Sequence, residues 1–543
     1  MVLRLFKRLP ATAVVVSVVA LGLGTAVALS DDNPQPIDIT HNVSDAPAPV
    51  ADTQWANGPN VATGTAICTT PTQSTTNVNT DCETNGPHND TSIAVNPTNT
   101  QNMIGGVNDY QLSVNPGGHI GETILSRAHV TSDGGKTWTE YPVFSNSTYQ
   151  ATGDPSLAFD ATGHAYYGTL GFRFVGPANA SNPDVLVSNS GDGGRTWDVQ
   201  RVSAGSGVET SVGQLLDKEY VTAWGSGNAL VTFGDFSNVQ KGVTTSANVF
   251  SSATHDYGKT WSKPTLISGS LGESFVAIPT VAANGNVYAS FLNTTDISTG
   301  RDDYEVVRLE PSTSAPLSAP VKVATVIDGA ADYPIGLGRQ TYQDSVFRTW
   351  AAGNIAADPT NASHLAVVWS DMRNSPKLTP PNLNPYSVTT NSDVIVSEST
   401  DGGAHWSAPT AIALAGDQFM PWGEFDNSGR LRIGFFDRSY DGANHQYGFT
   451  LATETSPGVF STSQVTTTLS DPTTNDRWFA RNVNAGFPNA TAFLGDYPNI
   501  AAIPGSSTGV VAYWTDMRVE NCWPGGPGCG RHGEDAFFAK VGS

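Results

Sequence analysis

From about residue 88 to the end of the 543-residue chain, apolar side chains come in short alternating runs broken by Gly, Asn, Asp and Pro, and no window sustains helical spacing. Alternation with period two predicts half-buried strands, so the chain is expected to be all β. Seven segments share one grammar: an apolar strand, a small polar turn, a second apolar strand and a polar, usually acidic ending. They cover 91–110, 155–172, 219–236, 275–293, 353–373, 420–438 and 497–518. Their turns recur roughly every 60 to 80 residues, within reach of a four-stranded blade with long loops.

A third strand in four of these units runs into a second repeated motif: TILSRAHVTSDGGKTW, DVLVSNSGDGGRTW, ANVFSSATHDYGKTW and DVIVSESTDGGAHW. Each part of the motif has a local use. The Asp side chain accepts backbone N–H bonds inside a tight turn, Gly supplies positive φ, and Trp buries a ring against the next strand. The motif glycines are Gly135, Gly194, Gly258 and Gly403, and the last gap is about twice the others, so one unit lacks its copy.

The pattern S/T-x-D-x-G-x-T-W resembles the Asp-box, or BNR repeat, of sialidase-like β-propellers. Thr131, Asp133, Gly135, Thr137 and Trp138 meet it, as do Ser190, Asp192, Gly194, Thr196 and Trp197, and Thr254, Asp256, Gly258, Thr260 and Trp261. The fourth copy, with Asp401 and Trp406, has His405 where Thr is expected. The resemblance implies a propeller over 88–543, and the repeats count seven blades of four antiparallel strands rather than the six of true sialidases. The last unit, ending in EDAFFAKVGS, supplies only a third strand. A propeller closes by borrowing a strand from the other terminus, and 36–43 (PIDITHNV), alternating at Ile37, Ile39 and Val43, is the candidate.

The N-terminus changes the picture of where the protein works. Residues 1–28 combine basic Arg4, Lys7 and Arg8, an apolar run and an Ala26-Val27-Ala28 cleavage signal, which reads as a secretory signal peptide, with an uncleaved membrane anchor as the alternative. Residues 29–87 read as an irregular leader. Without the first 28 residues the chain holds 24 Lys and Arg against 49 Asp and Glu, a surface that repels nucleic acid and anionic membrane. The expectation is a secreted, extracellular monomer. Four cysteines in an exported chain are expected to pair locally, Cys68 with Cys82 and Cys522 with Cys529.

If strands alternate in direction, the Asp-boxes lie opposite the face bearing a central pocket. That face should carry Asp90, Asp154, Asp217, Asp417 and Asp496 where innermost strands begin, and Asp109, Asp235, Asp371, Asp437 and Asp516 where second strands end. Recurrence of an acid is repeat grammar, capping loop amides, so chemistry is sought where the repeat breaks. Arg373, Arg438 and Arg518 follow the acid only in blades 5 to 7 and suit a substrate carboxylate or sulfate. His445, His532 and His88 come from blades 6, 7 and 1 and suit a base, metal ligands or substrate contacts. Long connections at 329–350 and 470–498 carry Tyr333, Tyr342, Trp350, Trp478 and Phe479 for sugar stacking, with Arg339, Arg348, Arg477 and Arg481.

For a sialidase the resemblance implies three arginines on a carboxylate, a tyrosine nucleophile with a glutamate partner, and an Asp acid/base. Arg373, Arg438, Arg518 and Tyr497 fit in type, but the Arg-Ile-Pro signature is absent from blade 1 and no glutamate partner stands out. Hydrolysis by two carboxylates, drawn from Asp496, Asp516, Asp437 and Asp371, is the next reading. A uronate lyase and a non-catalytic binding or scaffold propeller are the others. The expected partner is a carbohydrate or glycoconjugate. No cofactor is implied; calcium in the acidic ring is the one candidate, and no EF-hand-like spacing supports it.

Overall fold

The computed structural model describes residues 64–542 apart from 83–85, 115–119, 145–147, 174–180, 208–212, 240–245, 297–300, 330, 380–382, 474–479, 482–489, 492 and 522–530. The signal-peptide candidate at 1–28, the strand candidate at 36–43 and the expected Cys522–Cys529 pair lie outside the described residues.

Seven antiparallel sheets follow one another, each built outward from an innermost strand. The innermost strands are His88–Val95, Ala151–Phe159, Gly213–Trp224, Ser274–Val281, Asn354–Ala357, Gln418–Phe425 and Asn499–Ala502. This is a seven-bladed β-propeller with four strands per blade. The apolar alternation has the expected consequence: one face of each sheet packs on the blade before it and the other on the blade after it. Ile104, Val130, Tyr167, Leu186 and Trp197 fill the seam between blades 1 and 2, and Val368, Val396, Phe425, Ile433 and Phe435 that between blades 5 and 6.

The ring closes with a different part of the leader from the one expected. Val78–Asn79 pairs with Phe537–Phe538 as the fourth strand of blade 7. Ten residues earlier, Cys68–Thr69 pairs with Thr139–Glu140 as a fifth strand on blade 1. One strap therefore crosses the seam where the ring begins and ends, and a Cys68–Cys82 disulfide clips it. The reason is proximity along the chain: these residues directly precede blade 1 and reach the outer edges of both terminal blades without a long excursion.

The four turns at Asp133, Asp192, Asp256 and Asp401 share one pattern of aspartate hydrogen bonds. In the first, Asp133 accepts from the Thr137 N–H at 3.0 Å and the Thr137 hydroxyl at 2.7 Å, and Trp138 Nε1 donates to the Gly135 carbonyl at 3.2 Å. Asp192 and Asp256 repeat these bonds with Thr196 and Thr260. In the fourth, His405 Nδ1 stands in for the threonine hydroxyl, 2.7 Å from Asp401, while Trp406 Nε1 has no partner among the described residues. Gly135 and Gly194 adopt φ of 94°, a region that other residues reach only with strain.

Candidate functional site

Five innermost strands carry the same irregularity. Between Asn89 and Ser92, Gly153 and Ser156, Asp217 and Tyr220, Phe275 and Ile278, and Phe419 and Trp422, one extra residue interrupts the pairing with the second strand. The first residue of each bulge has positive φ: Asp90, Asp154, Lys218, Val276 and Met420. A bulge re-aims the side chain it inserts. In blades 1, 2 and 3 it therefore presents Asp90, Asp154 and Lys218 from equivalent positions. Blades 5 and 7 have short inner strands, and the long connections before them supply Arg348, Trp350, Asp496 and Tyr497 instead.

These residues meet. Lys218 Nζ lies 2.8 Å from Asp154 and 2.6 Å from Asp496. Arg348 donates from Nε to Asp496 at 2.8 Å, with Nη2 on its other oxygen. The Asp496 N–H donates to Asp90, which also accepts from Asn108 Nδ2 at 2.7 Å. Lys218 Nζ sits over the rings of Trp350 and Tyr497, 5.0 and 5.5 Å from their centroids. The Tyr220 ring of blade 3 lies 5.4 Å from Tyr497 and 5.7 Å from Trp422 of blade 6. Contacts between blades so far apart around the ring place the cluster at its centre.

The electrostatics divide the acids. Burial would raise the Asp496 carboxyl, but Arg348 and Lys218 overcome it and hold Asp496 below the ordinary carboxylate range. Asp90 is pushed well up by burial and by Asp496, and Asp154 is pushed up by burial against the pull of Lys218. Asp217 rises to about 7, again through burial opposed by Lys218. Glu219 is buried, its carboxyl is pushed well up by burial and by Asp154, and neither oxygen has a well-formed hydrogen bond to another side chain among the described residues. Burial keeps the Tyr497 hydroxyl well above the usual phenol range, and it donates to the Pro155 carbonyl at 3.3 Å.

The other sequence candidates stand elsewhere. Arg373 lies on Asp371 through Nε and Nη2, and Asp371 also accepts from Trp369 Nε1. Arg518, Asp516 and Trp514 repeat this clamp in blade 7. Arg438 is fully buried, 3.4 Å from Asp417, and donates to the Gln343 and Asn444 carbonyls. Asp437 accepts from Gln418 Nε2, the Ser439 N–H and the Thr450 hydroxyl. Each of the three arginines is thus paired with an aspartate of its own blade and bonded to a neighbouring segment, Arg373 to the Thr325 carbonyl, Arg438 to the Gln343 carbonyl and Arg518 to the Thr467 hydroxyl, and they share none of these partners. His445 lies on Asp471 at 3.0 Å, and His88 lies in the seam between blades 7 and 1. The side chains of His532, Arg477, Trp478, Phe479 and Arg481 lie outside the described residues. Tyr333 and Tyr342 are buried in the packing around Phe347 and Phe419.

Lys218 and Glu219 were not among the sequence candidates. Aligning NDTS (89–92), GDPS (153–156) and DKEY (217–220) by the bulge, rather than by the aspartate, puts Lys218 where Asp90 and Asp154 stand and shifts Asp217 one residue out of register.

No protein-family model matches the chain, and no curated protein matches it. Among solved structures, a Hadza microbial sialidase, Hz136, is similar at 10% identity and a TM-score of 0.41, over 88% of this chain and 95% of that one. The GH93 α-L-arabinofuranosidase of Fusarium graminearum is similar at 12% identity and 0.42, over 86% and 97%. A PL25 ulvan lyase is similar at 11% identity and 0.39, over 70% and 81%. Likeness at this level says nothing of chemistry, and the propeller assignment rests on the strand pairings themselves.

Proposed function

We propose that the protein is a secreted glycoside hydrolase acting on an anionic glycan, with its reaction centred on Asp496 and Asp154. The observation that carries the reading is Lys218, whose single ammonium touches both carboxylates at 2.8 and 2.6 Å and so keeps their contacted oxygens no more than about 5.4 Å apart, closer than the inverting arrangement needs. Their environments push the two acids in opposite directions, which is how acid and base are assigned within a pair. In this reading Asp496, kept ionised by Arg348 and Lys218, attacks the anomeric carbon. Asp154, with Asp90 behind it, gives a proton to the leaving oxygen and takes one from the water that releases the sugar. Arg348 is the more exposed of the two cations and meets the substrate's acidic group. Trp350 and Tyr497 form an aromatic wall, and Tyr497 keeps its proton.

One observation favours the non-catalytic alternative: the side chains of Lys218, Asp154 and Asp496 are each no more than 3% exposed, as in a knot that ties blades 2, 3 and 7. Assays of the secreted form on sialosides, arabinans, β-glucans and uronates separate the readings. Turnover with retained anomeric configuration, lost in Asp496→Asn and Asp154→Asn, supports the hydrolase. An unsaturated uronate product indicates lyase chemistry. Binding without turnover across the panel leaves the scaffold.

A further inference from the structure

A second polar cluster lies away from the ring centre, in the seam crossed by the N-terminal strap. Asp81 comes from the strap, His88 from the start of blade 1 and Asp535 from the third strand of blade 7. All three are buried, and a ligand atom from each lies within 4.8 Å of the other two. His88 is the informative member. It is wholly buried, yet among the described residues neither ring nitrogen has a well-formed hydrogen bond; Asp81 Oδ2 stands 3.5 Å from Nδ1 and Asp109 Oδ1, the nearer carboxylate, stands 3.3 Å from Nε2. Such a spacing on the Nδ1 side is long for a hydrogen bond but is about the edge of a tetrahedron with bonds of about 2.1 Å.

We propose that Asp81, His88 and Asp535 bind a divalent transition-metal ion of the zinc or manganese class, which pins the N-terminal strap to both terminal blades. The donors fit that class: one imidazole nitrogen and two carboxylates, where calcium takes six to eight oxygens. The surroundings fit as well. Asp109, itself held by Arg127 at 2.9 Å, faces the far nitrogen of His88, as a carboxylate does when it orients a ligating histidine and leaves the other nitrogen for the metal. Two buried aspartates side by side repel each other, and a cation between them removes the cost. Because the three ligands belong to the strap, the first blade and the last, the ion acts as a lock on ring closure, independent of any reaction at the centre.

The test uses the full secreted chain. After dialysis against a chelator, ZnCl2, MnCl2 and CaCl2 are added separately, with metal content and melting temperature measured for each. We expect one zinc or manganese ion retained per chain and a rise in melting temperature that calcium does not reproduce. In His88→Gln and Asp535→Asn, retention and the rise should both disappear. Should either variant fail to fold, calorimetric titration of the chelated wild type decides, with one site expected. No retained metal and no shift with zinc or manganese would overturn the proposal and leave His88 as an imidazolium between aspartates; a shift with calcium alone would overturn the metal class.

Discussion

The Asp-box turns and the ring centre use the same residue types and behave oppositely. In the turns, an aspartate near the surface accepts several bonds from its own hairpin, and Thr137, Thr196 and Thr260 help hold Asp133, Asp192 and Asp256 below the ordinary range. At the centre, equivalent backbone positions carry Asp90, Asp154 and Lys218, buried, with the two aspartates pushed up. A turn that satisfies its own acid can be copied unchanged around a ring. A cluster whose members depend on other blades cannot, so its positions diverge, and divergence at a conserved backbone feature is what marks the centre.

The contrast can be tested by substitution, starting with the largest effect. Replacing Asp496 by Asn should lower turnover by about 10²–10⁴-fold, whereas Asp133→Asn should leave it within about twofold, compared as kcat/KM on the substrate the screen identifies. Equal losses would erase the distinction. Among the turns, Trp138→Ala removes a fully buried ring packed on Phe538 and should cost about 3–5 kcal/mol of unfolding free energy; Trp406→Ala, at a half-buried ring without the indole bond, should cost clearly less. Denaturant titration of both variants checks the order. Reducing Cys68–Cys82 should cost about 3 kcal/mol, read as a lower denaturation midpoint, since the bond closes a short loop in the strap. Asp133→Ala should cost about 1 kcal/mol, because its hydrogen bonds exchange with water at the surface.

The two regions also differ in the sign of their pH dependence. Asp217 titrates at about 7 in the folded protein, above its unfolded value, so the folded state holds the extra proton between about pH 4 and 7 and stability should fall as pH rises through that window. The Asp-box acids are depressed, so their contribution is complete above the ordinary carboxylate range and disappears as pH falls through their lower folded values. Melting temperature against pH measures the opposition: Asp217→Asn should lessen the fall through the neutral window, which Glu305 and Glu424 share, and leave the acid limb unchanged.

Much of this was legible in the chain because it is local. The alternation announces strands, the repeat announces blades, and each Asp-box contains both donor and acceptor within eight residues. Asp90, Asp154, Asp496, Tyr497 and Arg348 could be named because they stand where inner strands begin or in the two long connections. The arginines after Asp371 and Asp516 were also visible, but not their use: a carboxylate two residues away captures each guanidinium, and the neighbouring tryptophan completes the clamp. Lys218 was hidden because a bulge adds one residue to the strand without altering its apolar pattern, so the aspartate beside it looked like the repeat's acid.

The sequence by itself determined the strands, the hairpin clasps and the number of blades, since each depends on contacts within a few tens of residues. Only the tertiary structure decided which charges meet. Lys218 and Asp496 are far apart in the chain, and so are Asp81 and Asp535. Their pairing follows from ring closure and strand register, and a one-residue bulge is enough to exchange the side chain that reaches the centre.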